Sequence, residues 1–161
     1  EIAREFTDKP IEIIGSGHGL GHSTSYAMEG PSCTCTVNAS REAFHMAGIK
    51  PSDINVAEIH DCFTIAEIVD SEDIGFFAGG KGGPAVQDGL TQVDGKIPIN
   101  ASGGLLSKGH PVGATGLGQV YEVVKQLRGE HENQVKNAEI GLAMNLGASG
   151  LVSTVTIFRR S

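Results

Sequence analysis

The stretch 97–129, IPINASGGLLSKGHPVGATGLGQVYEVVKQLRG, joins an apolar strand to an amphipathic helix through a glycine-rich loop. Ile97–Ala101 has the apolar pattern of a short buried strand. After Gly113, apolar residues recur at helical spacing and Gly129 is a typical helix terminator; the apolar positions are Leu117, Val120, Tyr121, Val124 and Leu127. A strand, a loop and a helix in this order form the repeating unit of an α/β fold with parallel strands.

The loop carries one histidine, in the run Gly109-His110-Pro111-Val112-Gly113-Ala114-Thr115-Gly116. We expect Pro111 to be an early residue of the helix and Gly113 to let a substrate approach the backbone. Imidazole donates a hydrogen bond to an oxygen that becomes anionic, and free N–H groups at a helix start add positive potential. The run therefore predicts that His110 stabilises a developing negative charge. The loop alone leaves a helix cap with an incidental exposed histidine as an equal alternative.

Composition limits the class of protein. The chain has 161 residues, of which 39% are hydrophobic and 19% charged, enough for the core of one domain. The net charge of −7 argues against a general nucleic-acid surface, and the 12 basic residues form no stripe interleaved with aromatic residues. There is no apolar run long enough to span a membrane and no signal peptide. We predict a cytoplasmic protein that binds neither nucleic acid nor a membrane.

The rest of the chain alternates strands and helices. The pattern predicts a buried strand at Pro10–Gly15 with a glycine loop at Gly15–Gly21, a helix at Thr36–Ala47 ended by Gly48, a strand at Ile54–His60, a helix at Thr64–Ile74, a long loop at Phe76–Lys96 and two strands at Glu139–Asn145 and Val152–Phe158. The order is βαβαβαββ. Helical crossovers imply parallel strands, and the short last connection implies an antiparallel neighbour.

Several polar residues are assigned structural roles. The acids of the second helix are predicted to form a solvated face; they are Glu67, Asp70, Glu72 and Asp73. Cys33 and Cys35 have no second cysteine pair, so neither a disulfide framework nor a zinc site is expected, and both should pack in the interior. The thiol of Cys33, at a helix start, is a candidate for a lowered pKa. His18 and His22 are predicted to lie in a loop near the substrate entrance.

Two further segments accompany the His110 loop. Ile59-His60-Asp61-Cys62-Phe63 ends an apolar strand, and Met144-Asn145-Leu146-Gly147-Ala148-Ser149-Gly150 lies between two strands. In this order and spacing the three segments resemble the C-terminal half of a thiolase, of the sterol-carrier-protein-2 type and its archaeal acetoacetyl-CoA thiolase relatives, which carry His-Asp-Cys-Phe in place of Asn-Glu-Ala-Phe. The resemblance covers essentially residues 1–161. It implies an α/β half-fold with a five-stranded mixed sheet of order 3-2-1-4-5 and helices on both faces.

The resemblance also implies roles for individual residues. His110 would help to activate the nucleophile and stabilise the thioester enolate oxygen, and His60 would contribute to the same oxyanion site through a water. Cys62 would be the acid/base thiol, because Asn145-Leu146-Gly147 stands where other thiolases carry Cys-x-Gly, and an amide cannot remove an α-proton as a thiolate can. The N–H of Gly147 would serve a second oxyanion site, and Phe63 would line the pantetheine channel.

Packing remains the alternative for His60 and Cys62. Asp61 is expected to be the partner of His60 or a helix cap.

The activity implied is that of an acetyl-CoA C-acyltransferase, which condenses two acetyl-CoA molecules or cleaves 3-ketoacyl-CoA with free CoA in lipid metabolism. CoA thioesters are the expected substrates, with no resident cofactor and no metal. The nucleophilic cysteine of thiolases lies in the N-terminal half, so we expect this chain to be inactive alone. Expected partners are that half, a second copy in a dimer, or an OB-fold protein. A thiolase-like aldolase (lyase) subunit and a non-catalytic assembly partner are the alternatives.

Overall fold

The computed structural model describes residues 2–21 and 31–161. Its strands are β1 (Ile11–Leu20), β2 (Val56–Glu58), β3 (Ile140–Gly147) and β4 (Val152–Arg160). Its α-helices are α1 (Thr34–Ala47), α2 (Thr64–Asp73), α3 (Gly82–Gln87), α4 (Gly104–Lys108) and α5 (Thr115–Arg128), with short 3-10 turns at Ile2–Glu5, Pro51–Asp53 and Ala148–Gly150. Within these ranges no helix has the length and apolar character needed to cross a membrane. The predicted α/β class is confirmed.

The sheet differs from the prediction in strand number and order. It has four strands in the order β1-β4-β3-β2, with β2 and β3 parallel and the other two pairs antiparallel. The predicted five-stranded sheet of order 3-2-1-4-5 is therefore wrong. The segment Ile97–Ala101 makes only one bridge, from Ile99 to Ala57, because Pro98 has no N–H to donate and Asn100 turns the chain with a φ of 52°. The predicted antiparallel pairing of the last two strands is confirmed.

The predicted glycine loop after residue 14 is a strand. Gly15, Gly17 and Gly19 alternate along β1 and all face α1, where added Cβ atoms would lie 2.4, 2.0 and 1.9 Å from backbone oxygens of that helix. The glycines thus let the α1 backbone rest directly on the strand. Because β1 is the edge strand, Ile13 is 66% exposed rather than buried as predicted. His18 lies on this strand, not in a loop, and His22 lies outside the described residues.

Helices cover both faces of the sheet, as predicted. One core cluster lies between the sheet and α1, and its members include Ala39, Ala43, Leu142, Met144, Val155 and Ile157. The other lies between the sheet and α5, and its members include Val56, Val123, Leu127, Ala143 and Phe158. Successive residues of β3 alternate between the two clusters, as expected of a strand buried on both faces.

Three local predictions are corrected. The buried stripe of α5 includes Thr115, Gln119, Val123 and Leu127, whereas Leu117 and Tyr121 of the predicted apolar face are 75% and 61% exposed. Pro111 lies in a turn before α5 and not inside the helix. The predicted loop Phe76–Lys96 contains α3. The predicted helix end at Gly48 is confirmed, because this residue adopts a left-handed φ of 66° after α1.

The tight seam between β1 and α1 predicts a specific sensitivity. In Gly17→Ala the new methyl group would lie 2.0 Å from the carbonyl oxygen of Ala39, so the helix must move away from the strand. We expect a loss of roughly 3 kcal/mol in the free energy of unfolding, measured by urea denaturation. The control is Gly83→Ala in α3, where a Cβ meets no atom within 4 Å. Equal stability of the two variants would contradict the close contact.

Candidate active site

The loop between the segment Ile97–Ala101 and α4 is attached to the buried carboxylate of Glu58. Glu58 lies at the end of β2 and is 1% exposed. Its two carboxylate oxygens accept hydrogen bonds from the backbone N–H and the hydroxyl of Ser102, at 3.1 and 2.5 Å. Lys108 approaches the same carboxylate at 3.4 Å. Burial raises the pKa of Glu58, and the hydrogen bonds from Ser102 and the charge of Lys108 oppose that rise.

Asn100 connects this loop to the strand and to α2. Its side-chain oxygen accepts the backbone N–H of Ile59 at 2.8 Å, and its Nδ2 donates to Glu67 at 3.0 Å. The left-handed φ of 52° at Asn100 is one that asparagine tolerates better than most residues. The Asn100 side chain therefore adds to the backbone bonds between Ala57 and residues 98–100 in holding the end of β2, where the His60 segment begins.

Asp61 is a helix cap. Its carboxylate accepts the backbone N–H of Leu105 at 2.7 Å, in the first turn of α4. A Cβ on Gly104 would lie 2.0 Å from the same carboxylate, and the φ of 63° at this position also favours glycine. Of the two roles expected for Asp61, the structure shows the cap. The contact fixes α4 and, beyond it, the loop that carries His110.

A cavity of about 630 Å³ lies where the three sequence motifs meet. The predicted site residues all line it: His60, Cys62, Phe63, His110 and Gly147. Asn145 lines it as well, and much of the remaining wall is apolar, including Ile65, Ala66, Val69 and Leu146. His60 and Gly147, which lie 87 positions apart in the sequence, thus contribute to one concave surface.

The two histidines of the site touch each other. The ring centroids of His60 and His110 lie 4.8 Å apart, with the rings nearly perpendicular at 84°. Nδ1 of His110 lies 2.6 Å from the hydroxyl of Thr115, which donates its own proton to the carbonyl oxygen of Pro111 at 3.2 Å. A hydroxyl has one proton, so Nδ1–H of His110 is the donor to Thr115. Nε2 of a neutral His110 therefore carries the free lone pair.

His60 is buried and held in the neutral form. It is 3% exposed, and its pKa lies below the usual value because burial disfavours the imidazolium and the neighbouring His110 adds repulsion. The charge of Asp61 opposes this shift. Asn145 contacts Nδ1 of His60 through its Nδ2 at 3.1 Å. A neutral imidazole can still donate one hydrogen bond.

The thiols of the cavity are protonated at neutral pH. Burial raises the pKa of Cys62, and the carboxylate of Asp70 contributes to the rise. Burial also raises the pKa of Cys33 to about 12, so the lowered pKa considered for this residue is wrong. Cys33 precedes α1, but its burial, followed by the charges of Asp70 and Asp73, raises its pKa. Phe63 is 72% exposed at the cavity.

Asp70 is a wall residue that the sequence pattern placed wrongly on a solvated face. It is 1% exposed and accepts a hydrogen bond from Thr36 at 3.0 Å. Burial raises its pKa from 3.8 to about 7. The other three acids of α2 are also partly buried. One signal for Asp70 is its spacing of four residues from the buried Ile74, which puts both on one side of the helix end.

Among the described residues, Cys33, Asp70 and Asp73 offer ligand atoms within 4.8 Å of one another and could meet at a metal ion. Both carboxylates already accept hydrogen bonds, Asp73 from Ser32 and the N–H of Cys33, and Asp70 from Thr36. These bonds account for the cluster without an ion. The absence of a metal from the site stays a prediction.

The chain belongs to the thiolase C-terminal domain-like family, whose profile matches residues 17–160. The resemblance drawn from the three motifs is confirmed. Acetyl-CoA acetyltransferase of Methanothermobacter thermautotrophicus is 47% identical over 162 residues, covering 99% of this chain and 42% of that protein. Sterol carrier protein 2 of Oryctolagus cuniculus is 47% identical over 122 residues, covering 75% of this chain and 22% of that protein.

A solved structure shares the fold. The chain aligns with an "Ltp2-ChsH2(DUF35) aldolase" with a TM-score of 0.89 and 26% identity, covering 98% of this chain and 41% of the other. The chain thus spans less than half the length of each of these three relatives. Membership of the thiolase family accounts for the shared architecture.

The buried Asp70 predicts a pH dependence of stability. Its pKa is higher in the folded state than the ordinary 3.8, so its contribution is fully present below about pH 4 and is lost as the pH rises to about 7. The expected loss is on the order of 4 kcal/mol. Asp70→Asn keeps an acceptor for Thr36 and should remove this loss, so the variant should be the more stable protein above pH 7.

The measurement is the free energy of unfolding between pH 4 and 8. Asp88→Asn, at an exposed carboxylate, is the control and should follow the parent protein. A pH profile that is unchanged by Asp70→Asn would show that Asp70 ionises normally in the folded state.

Proposed function

We propose that this chain is the acid/base and oxyanion half of an acetyl-CoA C-acyltransferase. The observation that carries the proposal is the meeting of His60, Cys62 and His110 around one cavity in a chain of the thiolase family. The substrates are CoA thioesters. The reaction is the condensation of two acetyl-CoA molecules or the thiolysis of a 3-ketoacyl-CoA, and the chain alone is inactive because the nucleophilic cysteine belongs to the rest of a longer protein.

In the condensation, an acetyl group is carried on that cysteine and a second acetyl-CoA loses a proton from its α-carbon. Cys62 gives its resting proton to the CoA thiolate that is released when the nucleophile is acetylated, and the Cys62 thiolate then takes the α-proton. The resulting enolate attacks the acetyl carbonyl and displaces the nucleophilic cysteine as a thiolate, which takes back its proton from His110. His60, as a neutral donor, and His110, as the imidazolium formed when its Nε2 accepts the proton of the nucleophilic cysteine, both donate to the enolate oxygen. In thiolysis the steps run in reverse, and the Cys62 thiol returns the proton to the departing α-carbon.

The raised pKa of Cys62 suits this exchange. A thiol that is protonated at rest can donate to a carbanion, and a thiolate whose pKa is raised is a correspondingly strong base for the reverse transfer. The backbone N–H of Gly147 is proposed for the second oxyanion site. A Cβ at Gly147 would meet only one atom, the carbonyl oxygen of Val152 at 4.0 Å, so packing within the described residues does not require glycine there.

The apolar lining of the cavity suits a thioester that is carried on a long flexible arm. Ile65, Val69 and Leu146 make an apolar wall, which suits the pantetheine part of CoA. Phe63 stands exposed beside this wall and is proposed to contact the arm. CoA is consumed and released, so no resident cofactor is proposed.

An aldolase (lyase) activity is the second candidate. It is favoured by the likeness to a solved thiolase-fold structure described as an aldolase. That reaction also forms or breaks a carbon–carbon bond through a stabilised enolate, so the same histidines would serve it. It needs no cysteine nucleophile. Trapping with acetyl-CoA separates the two, since only the acyltransferase forms an acetyl-cysteine in the longer protein.

The proposed partner is the remaining part of that longer protein. The chain spans 42% of its 47% identical relative, and three apolar side chains stand exposed around the start of α5: Val112 at 86%, Leu117 at 75% and Tyr121 at 61%. We call these three residues the α5 patch. One member of the patch, Val112, lines the cavity together with His110, which suits a half that brings a nucleophile to the cavity. A dimer, an OB-fold partner, a non-catalytic assembly role and a cytoplasmic location are further proposals.

The acid/base role of Cys62 is tested with Cys62→Ala in the full-length protein. We expect kcat for thiolysis of acetoacetyl-CoA to fall at least about 100-fold, because a positioned proton donor contributes that much or more. Acetylation of the nucleophile by acetyl-CoA should persist, since that step transfers no proton at an α-carbon and the released CoA thiolate can take its proton from water.

Cys33→Ala is the matched control, because Cys33 lines the same cavity with a thiol that stays protonated. It should keep most of the parent activity. A Cys62→Ala protein that turns over as fast as the Cys33→Ala protein would remove Cys62 from the mechanism.

Coverage of the α5 patch is tested with Leu117→Lys in the full-length protein. If the other half covers Leu117, the ammonium group is buried without a partner and the free energy of unfolding should fall by about 2 kcal/mol or more. The control is Met46→Lys on α1, also exposed in the chain at 60% and on the opposite face of the sheet. Thermal unfolding of both variants gives the answer. A Leu117→Lys effect no larger than the control would show an uncovered patch.

A further inference from the structure

One buried glutamine controls the orientation of the amide beside His60. Gln119 lies on α5 and is 2% exposed. Its Nε2 donates to the backbone carbonyl oxygen of Met144 at 2.7 Å. A carbonyl oxygen can only accept, so the side chain of Gln119 has one acceptable orientation. Its own carbonyl, Oε1, must therefore point the other way, toward Asn145.

The same reasoning continues through Asn145. Nδ2 of Asn145 lies 3.0 Å from Oε1 of Gln119 and 3.1 Å from Nδ1 of His60. The NH₂ group has two protons, and these two contacts use both. If the Asn145 amide were reversed, its oxygen would face the oxygen of Gln119. Nδ1 of His60 thus receives a proton donor and cannot carry a proton itself.

We propose that Gln119 and Asn145 are positioning residues that fix His60 as the tautomer protonated on Nε2. The carbonyl of Met144 accepts from Gln119, which fixes the orientation of the Gln119 amide, and Gln119 in turn fixes the orientation of the Asn145 amide. We call this series of hydrogen bonds the Gln119–Asn145–His60 relay. It ends in an N–H donor on the far side of the imidazole from Asn145. Resting on the proposed function, that donor is the group offered to the enolate oxygen.

The relay gives a chemical reason for an asparagine at position 145. By the resemblance, this residue stands at the position of the acid/base cysteine of other thiolases. Its amide can supply no proton to a carbanion. An amide can, however, hold a neighbouring histidine in one tautomer. Imidazolium is disfavoured by the same contact, since a proton on Nδ1 would meet the N–H of Asn145, and this agrees with the lowered pKa of His60.

The test is a spectroscopic one that does not depend on activity. Two-bond ¹H–¹⁵N correlation spectra of the full-length protein, labelled at histidine, identify which nitrogen of His60 carries the proton. The parent protein should show Nε2–H and an unprotonated Nδ1. Asn145→Asp replaces the donor with an acceptor, so the proton should appear on Nδ1. Gln119→Met removes the group that orients Asn145 and should produce a measurable population of the Nδ1–H tautomer.

Gln126→Met is the matched control. Gln126 lies two turns further along α5, is 1% exposed and bonds instead to Asn133 and Val135. It should cost similar stability but leave the His60 signals unchanged. An Nδ1–H tautomer in the parent protein, or identical His60 spectra in all three variants, would overturn the relay. A tautomer change without loss of acyltransferase activity would instead count against the proposed role of His60.

Kinetics then separate positioning from general damage. For Gln119→Met we expect kcat to fall by at least about tenfold while KM stays near that of the parent, because a histidine in the wrong tautomer binds substrate but fails in the transition state. Gln126→Met should keep the parent kcat. Equal kcat values in the two variants would show that the tautomer of His60 is set without Gln119.

Discussion

Two buried carboxylates at the end of β2 hold the site in place. Glu58 accepts the N–H and hydroxyl of Ser102, and Asp61 accepts the N–H of Leu105. Loop N–H groups that lose contact with water need such acceptors, and charged ones make the strongest bonds. The segment that leads to His110 is therefore attached at two points, Glu58 and Asp61, that lie on either side of His60 in the sequence. These attachments hold the two segments side by side, and the rings of His60 and His110 meet between them at 84°.

The sequence predicts which residues line one cavity better than it predicts the order of the strands, because the two depend on different kinds of information. His60, Cys62 and His110 lie in short motifs that can be recognised one by one. The position of β1 at the edge depends on its pairing with β4, some 140 residues away, and no local pattern encodes it. Glycines at 15, 17 and 19 resemble a loop until α1 is known to lie against them.

Polar burial was the harder part of the site to predict. Asp70 is buried because Thr36 of a different helix covers it, and helical periodicity in α2 carries no trace of that contact. Gln119 and His60 are 59 positions apart and are connected only through Asn145. The sequence singles out His60 and Asn145 separately. That Asn145 orients His60 is inferred from the direction of their hydrogen bonds, and those bonds can be seen only in the folded structure.

The resting site is poised by the absence of charge. Burial keeps His60 neutral and Cys62 protonated, and it holds much of Asp70 in the acid form near neutral pH. If a thioester forms its enolate here, neither the neutral His60 nor the Cys62 thiol repels the new negative charge, and the raised pKa of Asp70 reduces the repulsion from that carboxyl group. Hydrogen-bond donors act more strongly in a poorly solvated place than in water. A neutral His60 whose N–H already points at the oxygen would need no reorientation as the charge appears, so no free energy would be spent on reorganisation. For the proposed reaction, this is the effect of fixing the direction of one buried amide.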